Sequence, residues 1–187
     1  WLADHLAEDP GAPISMRALA PGEPARVSLR GRPLDVLWRD SRWLRVAQED
    51  ERLVIDLPAA APADAARRAL GEFLVTQARA DVGRWLPRYL PGLPRAPRLW
   101  RIRPLSSLWG SMSASGTLSL DLALVLAPPA AFEYVLVHEL CHLIQPNHSP
   151  AFWREVEQRF PDWRAQRRYL REDGLAFKRE LRALLAR

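Results

Sequence analysis

His138, Glu139 and His142 spell His-Glu-x-x-His in a chain of 187 residues. On an α-helix, residues four apart lie about 40° apart around the axis and about 6 Å along it. Two imidazoles so placed can meet one tetrahedral cation, and the glutamate beside the first can reach a water on that cation. Zinc asks for a third protein ligand and, for catalysis, keeps a fourth position open. His148 follows His142 past a break at Gln145-Pro146-Asn147. That break turns the chain back across the helix end, and Asn147 is a residue type that tolerates the left-handed backbone such a turn uses. The expected chemistry is hydrolysis by a Zn2+-activated water, with Glu139 as catalytic base and His138, His142 and His148 as metal ligands.

The elements that must position these residues can be traced outward. Pro128 and Pro129 predict a helix start, where proline's missing N–H costs nothing. That helix runs to about Ile144 or Gln145 and stops before Pro146. Leu136, Leu140 and Leu143 fall opposite the histidines and would face the core. Ser149 with Pro150 caps a second helix to about Arg159. Pro161 and Asp162 start a third, ended by Gly174, and a last helix reaches the C-terminus. Upstream, residues 1–24 are rich in Pro and Gly and read as an extension, with a short helix near Trp1 to Leu6. Short alternating runs over 26–57 read as an antiparallel β meander. Pro62 and Asp64 open a long amphipathic helix ending near Pro87, and Pro87, Pro91, Pro94 and Pro97 form a stiff connector. Leu99 to Arg103 and Thr117 to Asp121 read as strands, joined by Ser-rich turn material around Ser111 to Gly116. Thr117 to Asp121 is expected at a sheet edge, where an extended substrate could pair with it. The expected fold is α+β, with residues 25–187 as one domain and a metal-binding core at about 98–174.

Composition narrows the function classes. Apolar residues make up 48% and charged residues 26%, which excludes a wholly disordered chain. The longest apolar runs fall short of a bilayer span. No basic-then-apolar leader precedes the first strands, and one cysteine rules out an internal disulfide framework, so a cytoplasmic setting is expected. The net charge of +5 is carried almost wholly by arginine, Lys178 being the one lysine. Basic segments flank the histidines at 58–105 and 149–187, whereas 106–148 contains no Lys or Arg and holds three of the four histidines. The basic flanks read first as solvated helix faces and second as phosphate- or carboxylate-gripping surfaces.

Leu108 to Gly174 resembles the YgjP-like metallopeptidase family, related to the WLM and SprT-like zinc proteases. The resemblance rests on Trp109-Gly110-Ser111, Ala127-Pro128-Pro129, Tyr134-Val135 before the His-Glu-Leu-Cys-His run, and Asn147-His148-Ser149 before Phe152-Trp153. It implies a zincin-like α+β domain that hydrolyses peptide bonds, with zinc on His138, His142 and His148 and Glu139 as base. Leu108 and Met112 stand where the family usually carries Arg and Cys, which bears on substrate preference. The histidine spacing also matches the metzincins, but Gln145 stands where they carry glycine.

Other residues admit two readings each. Cys141 is read as a small apolar filler rather than a ligand. Tyr134, one turn before His138, is a core or rim tyrosine or an oxyanion donor. Arg168 and Tyr169 are further oxyanion candidates. Glu155 is a solvated carboxylate or a partner for the second nitrogen of His148. His5 reads as surface, and Trp109, Phe152 and Trp153 as packing around the site. Two rival functions stand beside the peptidase: a SprT-like nucleic-acid-associated protease, for which no binding motif is present, and a non-catalytic zinc domain. No membrane partner is expected.

Overall fold

Leu53, Val54 and Ile55 form a strand buried on both faces, and the first sheet is organised around it. The computed structural model describes residues 19–186; the expected helix near Trp1 to Leu6 and His5 lie outside them. Strands β1 (Arg26–Leu29), β2 (Arg32–Asp40), β3 (Arg45–Glu49) and β4 (Arg52–Leu57) occur where the alternation predicts them. Their order is β1-β2-β4-β3, however, and β2 pairs with β4 in parallel. The antiparallel meander is thus corrected to two antiparallel hairpins joined by a parallel seam. Burial explains the order. β4 is apolar on both faces and takes a central place, while the more polar β3 is left at the edge.

Helix α1 (Ala65–Tyr89) lays Leu70, Leu74, Ala78 and Val82 along one stripe with no exposure. Each leucine so buried contributes about 1.5–3 kcal/mol. The helix passes Pro87 rather than ending there, since a proline in the last turn removes only one ladder bond. Trp85 meets Phe132 edge-on at 5.3 Å, which fixes α1 against the histidine-bearing helix. The β1–β2 turn adds a second anchor, with Arg30 and Gly31 N–H groups donating to Val125 and Leu126 carbonyls. Gly31 has φ +74, and a Cβ there would lie 2.9 Å from Pro128, so the start of that helix is seated on a glycine.

The second sheet has three strands, β5 (Leu99–Arg103), β6 (Gly110–Met112) and β7 (Thr117–Asp121), in the order β5-β7-β6. The expectation that Thr117 to Asp121 forms an edge is corrected. β7 is central because its apolar residues Leu118 and Leu120 are fully buried, and the edges are β5 and β6. Ser111 and Met112, within the stretch Ser111 to Gly116 expected as turn, pair antiparallel with β7 together with Gly110.

Four helices complete the α+β fold: α2 (Pro129–Cys141), α3 (Pro150–Arg159), α4 (Trp163–Glu172) and α5 (Gly174–Leu185). α2 ends three residues short of Ile144. Leu143 and Ile144 N–H groups donate instead to Leu140 and Cys141 carbonyls at 3.0 Å, the tighter winding of a helix end. Leu136, Leu140 and Cys141 of α2 are fully buried, and both sheets and all the helices contribute to one apolar core. Among the described residues no helix is long and apolar enough to cross a membrane.

Candidate metal centre

α2 delivers His138 and His142 on one face, and the turn after it returns His148 to them. One ring nitrogen from each of the three lies within 4.8 Å of the others. His138 Nε2 and His148 Nε2 are 3.0 Å apart. Phe152 of α3 is fully buried beneath all three rings, with centroids 4.9 Å from His138, 4.6 Å from His142 and 4.8 Å from His148. Its position follows from the helix start, where the Ser149 hydroxyl accepts from the Phe152 N–H as the cap. Trp153 stacks on His148 and on Trp163, closing the outer side.

The second nitrogens of two rings have partners that fix their orientation. His142 Nδ1–H donates to the Gln145 carbonyl at 3.1 Å, which leaves Nε2 as a lone pair facing the cluster. Tyr134 places its hydroxyl 3.5 Å from His138 Nδ1. Burial holds the His138 imidazolium down to about 3, helped by its neighbours His142, His148 and Arg167. His142 and His148 are lowered by the same burial. Three neutral imidazoles aimed at one point suit a divalent cation. Tetrahedral bonds of about 2.0–2.1 Å place ligand nitrogens roughly 3.3 Å apart, close to the separation seen for His138 and His148.

Glu139 lies beside the triad, 6% exposed. Burial pushes its carboxyl up to about 8, opposed by a hydrogen bond from the Met112 backbone. Its neighbour is Gly110 of β6. A Cβ at Gly110 would sit 2.7 Å from Glu139 Cγ and 2.9 Å from Oε1, so the strand approaches this closely only because a glycine is there. Lys178 of α5 anchors the strand's approach. Its ammonium donates to the Leu105 carbonyl at 3.0 Å, the Leu108 carbonyl at 2.9 Å and the Asp121 carboxylate, and lies 4.5 Å from the Trp109 ring. Asp121 also accepts from the Leu105 and Ala123 N–H groups.

The three histidines, Glu139 and Gly110 line a cavity of about 480 Å³ bounded by β6, α2, the His148 turn and α4. Tyr134 borders it, 4% exposed. Arg168 and Tyr169 do not line it: Arg167 and Arg171 do, and Tyr169 packs towards Phe177 at 6.4 Å. The reason is helical phase. Trp163, Arg167, Leu170, Arg171 and Gly174 share the face that meets the site, and Arg168 falls off it. Glu155 pairs with Arg159 at 2.5 Å and is partly buried, so it is an ion-paired helix carboxylate rather than a freely solvated one. Cys141 is buried, its thiol pushed up to about 12, as a filler would be.

Sequence reasoning did not single out Gly110, Arg167 or Lys178. A glycine between Trp109 and Ser111, a four-three-four spacing from Trp163 to Gly174, and a solitary lysine were the available signals.

A family model described as the YgjP-like metallopeptidase domain matches residues 1–173. The chain belongs to the YgjP-like metallopeptidase family. Membership and the three-histidine cluster together imply a metal-dependent peptidase on a zincin-like α+β fold. Among solved structures, the metallopeptidase zymogen of Pyrococcus abyssi abylysin is 33% identical, covering 57% of this chain and 92% of that one, with a TM-score of 0.36. No curated protein matches the chain.

Proposed function

We propose that this YgjP-like chain is a zinc peptidase, with His138, His142 and His148 as ligands and Glu139 as general base. The observation that carries the proposal is the convergence of three imidazole nitrogens within 4.8 Å beside a buried glutamate, at the wall of a cavity. The cavity-lining residues fall between 108 and 171, which supports a metal-binding core at about 98–174 within a single domain over 25–187. Neutral imidazoles and no thiolate or extra carboxylate in the donor set favour zinc over harder cations.

A bound zinc ion would supply Lewis acidity, polarising the scissile carbonyl and lowering the pKa of a coordinated water to about 7. The chain's own groups do the rest. The carboxylate of Glu139 accepts the proton of the attacking water and returns it to the departing amine. Burial alone raises the Glu139 carboxyl, and the positive charge of a bound zinc ion beside it would favour the charged form that a base needs. The Tyr134 hydroxyl, 3.5 Å from His138 Nδ1, helps hold that ring with Nε2 towards the cluster. Its buried phenol stays protonated at neutral pH, because burial raises it from the ordinary tyrosine range. The open side of β6, at Gly110–Met112, offers main-chain groups to an extended peptide lying across the cavity.

Glu139→Gln tests this reading. The amide keeps the size and the hydrogen bonding of the carboxylate but cannot take a proton. Zinc content, measured by metal analysis, should stay near one per chain, while cleavage of a peptide library falls by about 10² to 10⁴. Cleavage at the wild-type rate would show that Glu139 is not the base. Loss of zinc together with unfolding would favour a non-catalytic zinc domain.

A further inference from the structure

The two edges of the first sheet are finished differently. At β1 the Ser28 N–H donates to the Glu180 carboxylate of α5 at 2.6 Å, and the turn beyond it is bonded to Val125 and Leu126. At β3 the described residues offer no strand on the side away from β4. The turn at Asp50 and Glu51 closes on the Glu49–Arg52 pair, and in a two-residue hairpin that pair shares both ladder bonds. Main-chain groups at 45, 47 and 49 therefore turn to β4, and those of Val46 and Gln48 turn outward. An edge of this kind is a template for another strand.

Charges protect an edge when they repel a copy of the same strand. β3 has the opposite arrangement, with Arg45 at its start and Glu49 at its end. Antiparallel pairing of two copies about Ala47 sets Arg45 against Glu49 twice. It also sets Val46 against Gln48, the residues whose main-chain groups face out. The match extends across the sheet. Leu53 and Ile55 join the main core, so Arg52, Val54 and Asp56 lie on the other face with their neighbours in register. Towards the β3 edge, Arg39, Asp56 and Arg45 alternate plus, minus, plus, whereas Asp35, Arg52 and Glu49 alternate minus, plus, minus. Between them runs the apolar row Leu37, Val54 and Ala47. A two-fold axis at Ala47 joins each plus-ended row to a minus-ended row of the second copy, and the apolar row to itself. Glu49 can exchange partners, since within one copy it reaches Arg39 at 3.4 Å and Arg45 at 3.8 Å, long contacts between well-exposed side chains. Trp43, 78% exposed, and Leu44 precede β3, and the same register lays them beside the second copy's turn at Asp50 and Glu51.

We propose that β3 is a self-association edge, through which two copies of this chain pair antiparallel about Ala47. Their four-stranded sheets become one eight-stranded sheet. The contact is small, so its affinity belongs to the weak, micromolar class. It is also closed, because pairing uses the open edge of both copies and stops at two. None of these residues lines the cavity beside the histidines, so the pairing stands whether or not the chain cleaves peptides.

Sedimentation equilibrium of the full chain, from about 1 µM to about 1 mM, tests this. The mean mass should rise from 21.3 kDa towards twice that value. Arg45→Glu leaves two acidic strand ends and Glu49→Arg leaves two basic ones. Each variant alone should therefore associate about 10-fold more weakly or worse, since two like-charge pairs replace two opposite ones. An equimolar mixture of the two should recover the wild-type affinity as a mixed pair, and the double variant Arg45→Glu/Glu49→Arg should recover it alone. These recoveries separate a lost contact from a lost fold, and melting curves check each variant. Gln48→Pro removes an outward N–H while keeping both charges, and it should weaken association too. A chain that stays monomeric up to about 1 mM overturns the proposal. So does a dimer that forms equally well in both single variants, or a mass that climbs beyond two copies. Folded single variants that fail to associate when mixed would overturn it as well.

Discussion

Replacing Gly110 with alanine should disable the base while sparing the metal. The added methyl would lie 2.7 Å from Glu139 Cγ, against an ordinary carbon–carbon contact of about 3.5–4.0 Å. Relief requires a relative shift of about 1 Å, and neither partner yields easily. β6 is pinned by its ladder to β7 and by the Lys178 anchor behind Trp109. Glu139 belongs to a buried helix turn between two histidines of the triad. The carboxylate is the freer of the two, so it moves. A displacement of about 1 Å at a reacting group costs on the order of 10²-fold in rate, or about 2.7 kcal/mol of barrier. Overpacking should also lower stability by about 1–3 kcal/mol. The assay pairs kcat/KM on a cleavable peptide with zinc stoichiometry and thermal denaturation. Activity within about threefold of wild type would refute the argument that Gly110 sets the position of Glu139. Loss of zinc in parallel with activity would show that the strain had passed to His138 instead.

His148→Ala should weaken zinc binding by more than the roughly 10- to 100-fold expected from losing an outer partner, as chelator competition would show. A smaller change would place the third ligand elsewhere. Lys178→Met strands the Asp121 carboxylate in the core, which should cost about 3–5 kcal/mol and lower the melting temperature by on the order of 10 °C. Adding Asp121→Asn should recover part of that loss, and no recovery would argue against the pair as the cause. Glu180 gives a pH test. Burial raises its carboxyl above the ordinary range even though the Ser28 N–H donates to it at 2.6 Å. A raised folded-state pKa means that its stabilising contribution is full below the unfolded value and is lost as pH rises through the folded one. Glu180→Gln should therefore stabilise the protein relative to wild type more at pH 8 than at pH 4, and a reversed trend in paired melting curves would contradict the assignment.

The metal-binding helix was legible because its signal is local: four-residue spacing fixes two side chains on one face, and Pro128 and Ser149 mark the neighbouring helix starts. Helices α3 and α4 begin within a residue of their sequence signals. What the sequence does not carry is pairing. Alternation in Val36, Val46 and Ile55 locates strands but says nothing of which lies beside which, so the parallel β2–β4 seam was hidden. β6 was missed for a related reason. Gly110, Ser111 and Met112 have poor strand propensity and are held by β7 and by the cavity wall rather than by their own preference. The sequence does not show that Arg168 points away from the site, because the phase of α4 depends on how Trp163 and Leu170 bury, which only the packed structure decides. The Lys178 anchor joins residues more than fifty positions apart, beyond the reach of any local motif.

Lys178 is the only lysine in these 187 residues, and it is 6% exposed in the folded protein. The surface described here therefore shows amine-directed chemistry almost nothing but guanidinium, which such reagents ignore. Acylating agents and lysine-modifying enzymes would find their target side chain only when α5 lifts from Trp109 and the loop at 105–108. Modification of this residue thus becomes a clock for that event. Its rate in the native state, read by mass spectrometry, measures how often the strand beside the glutamate comes loose.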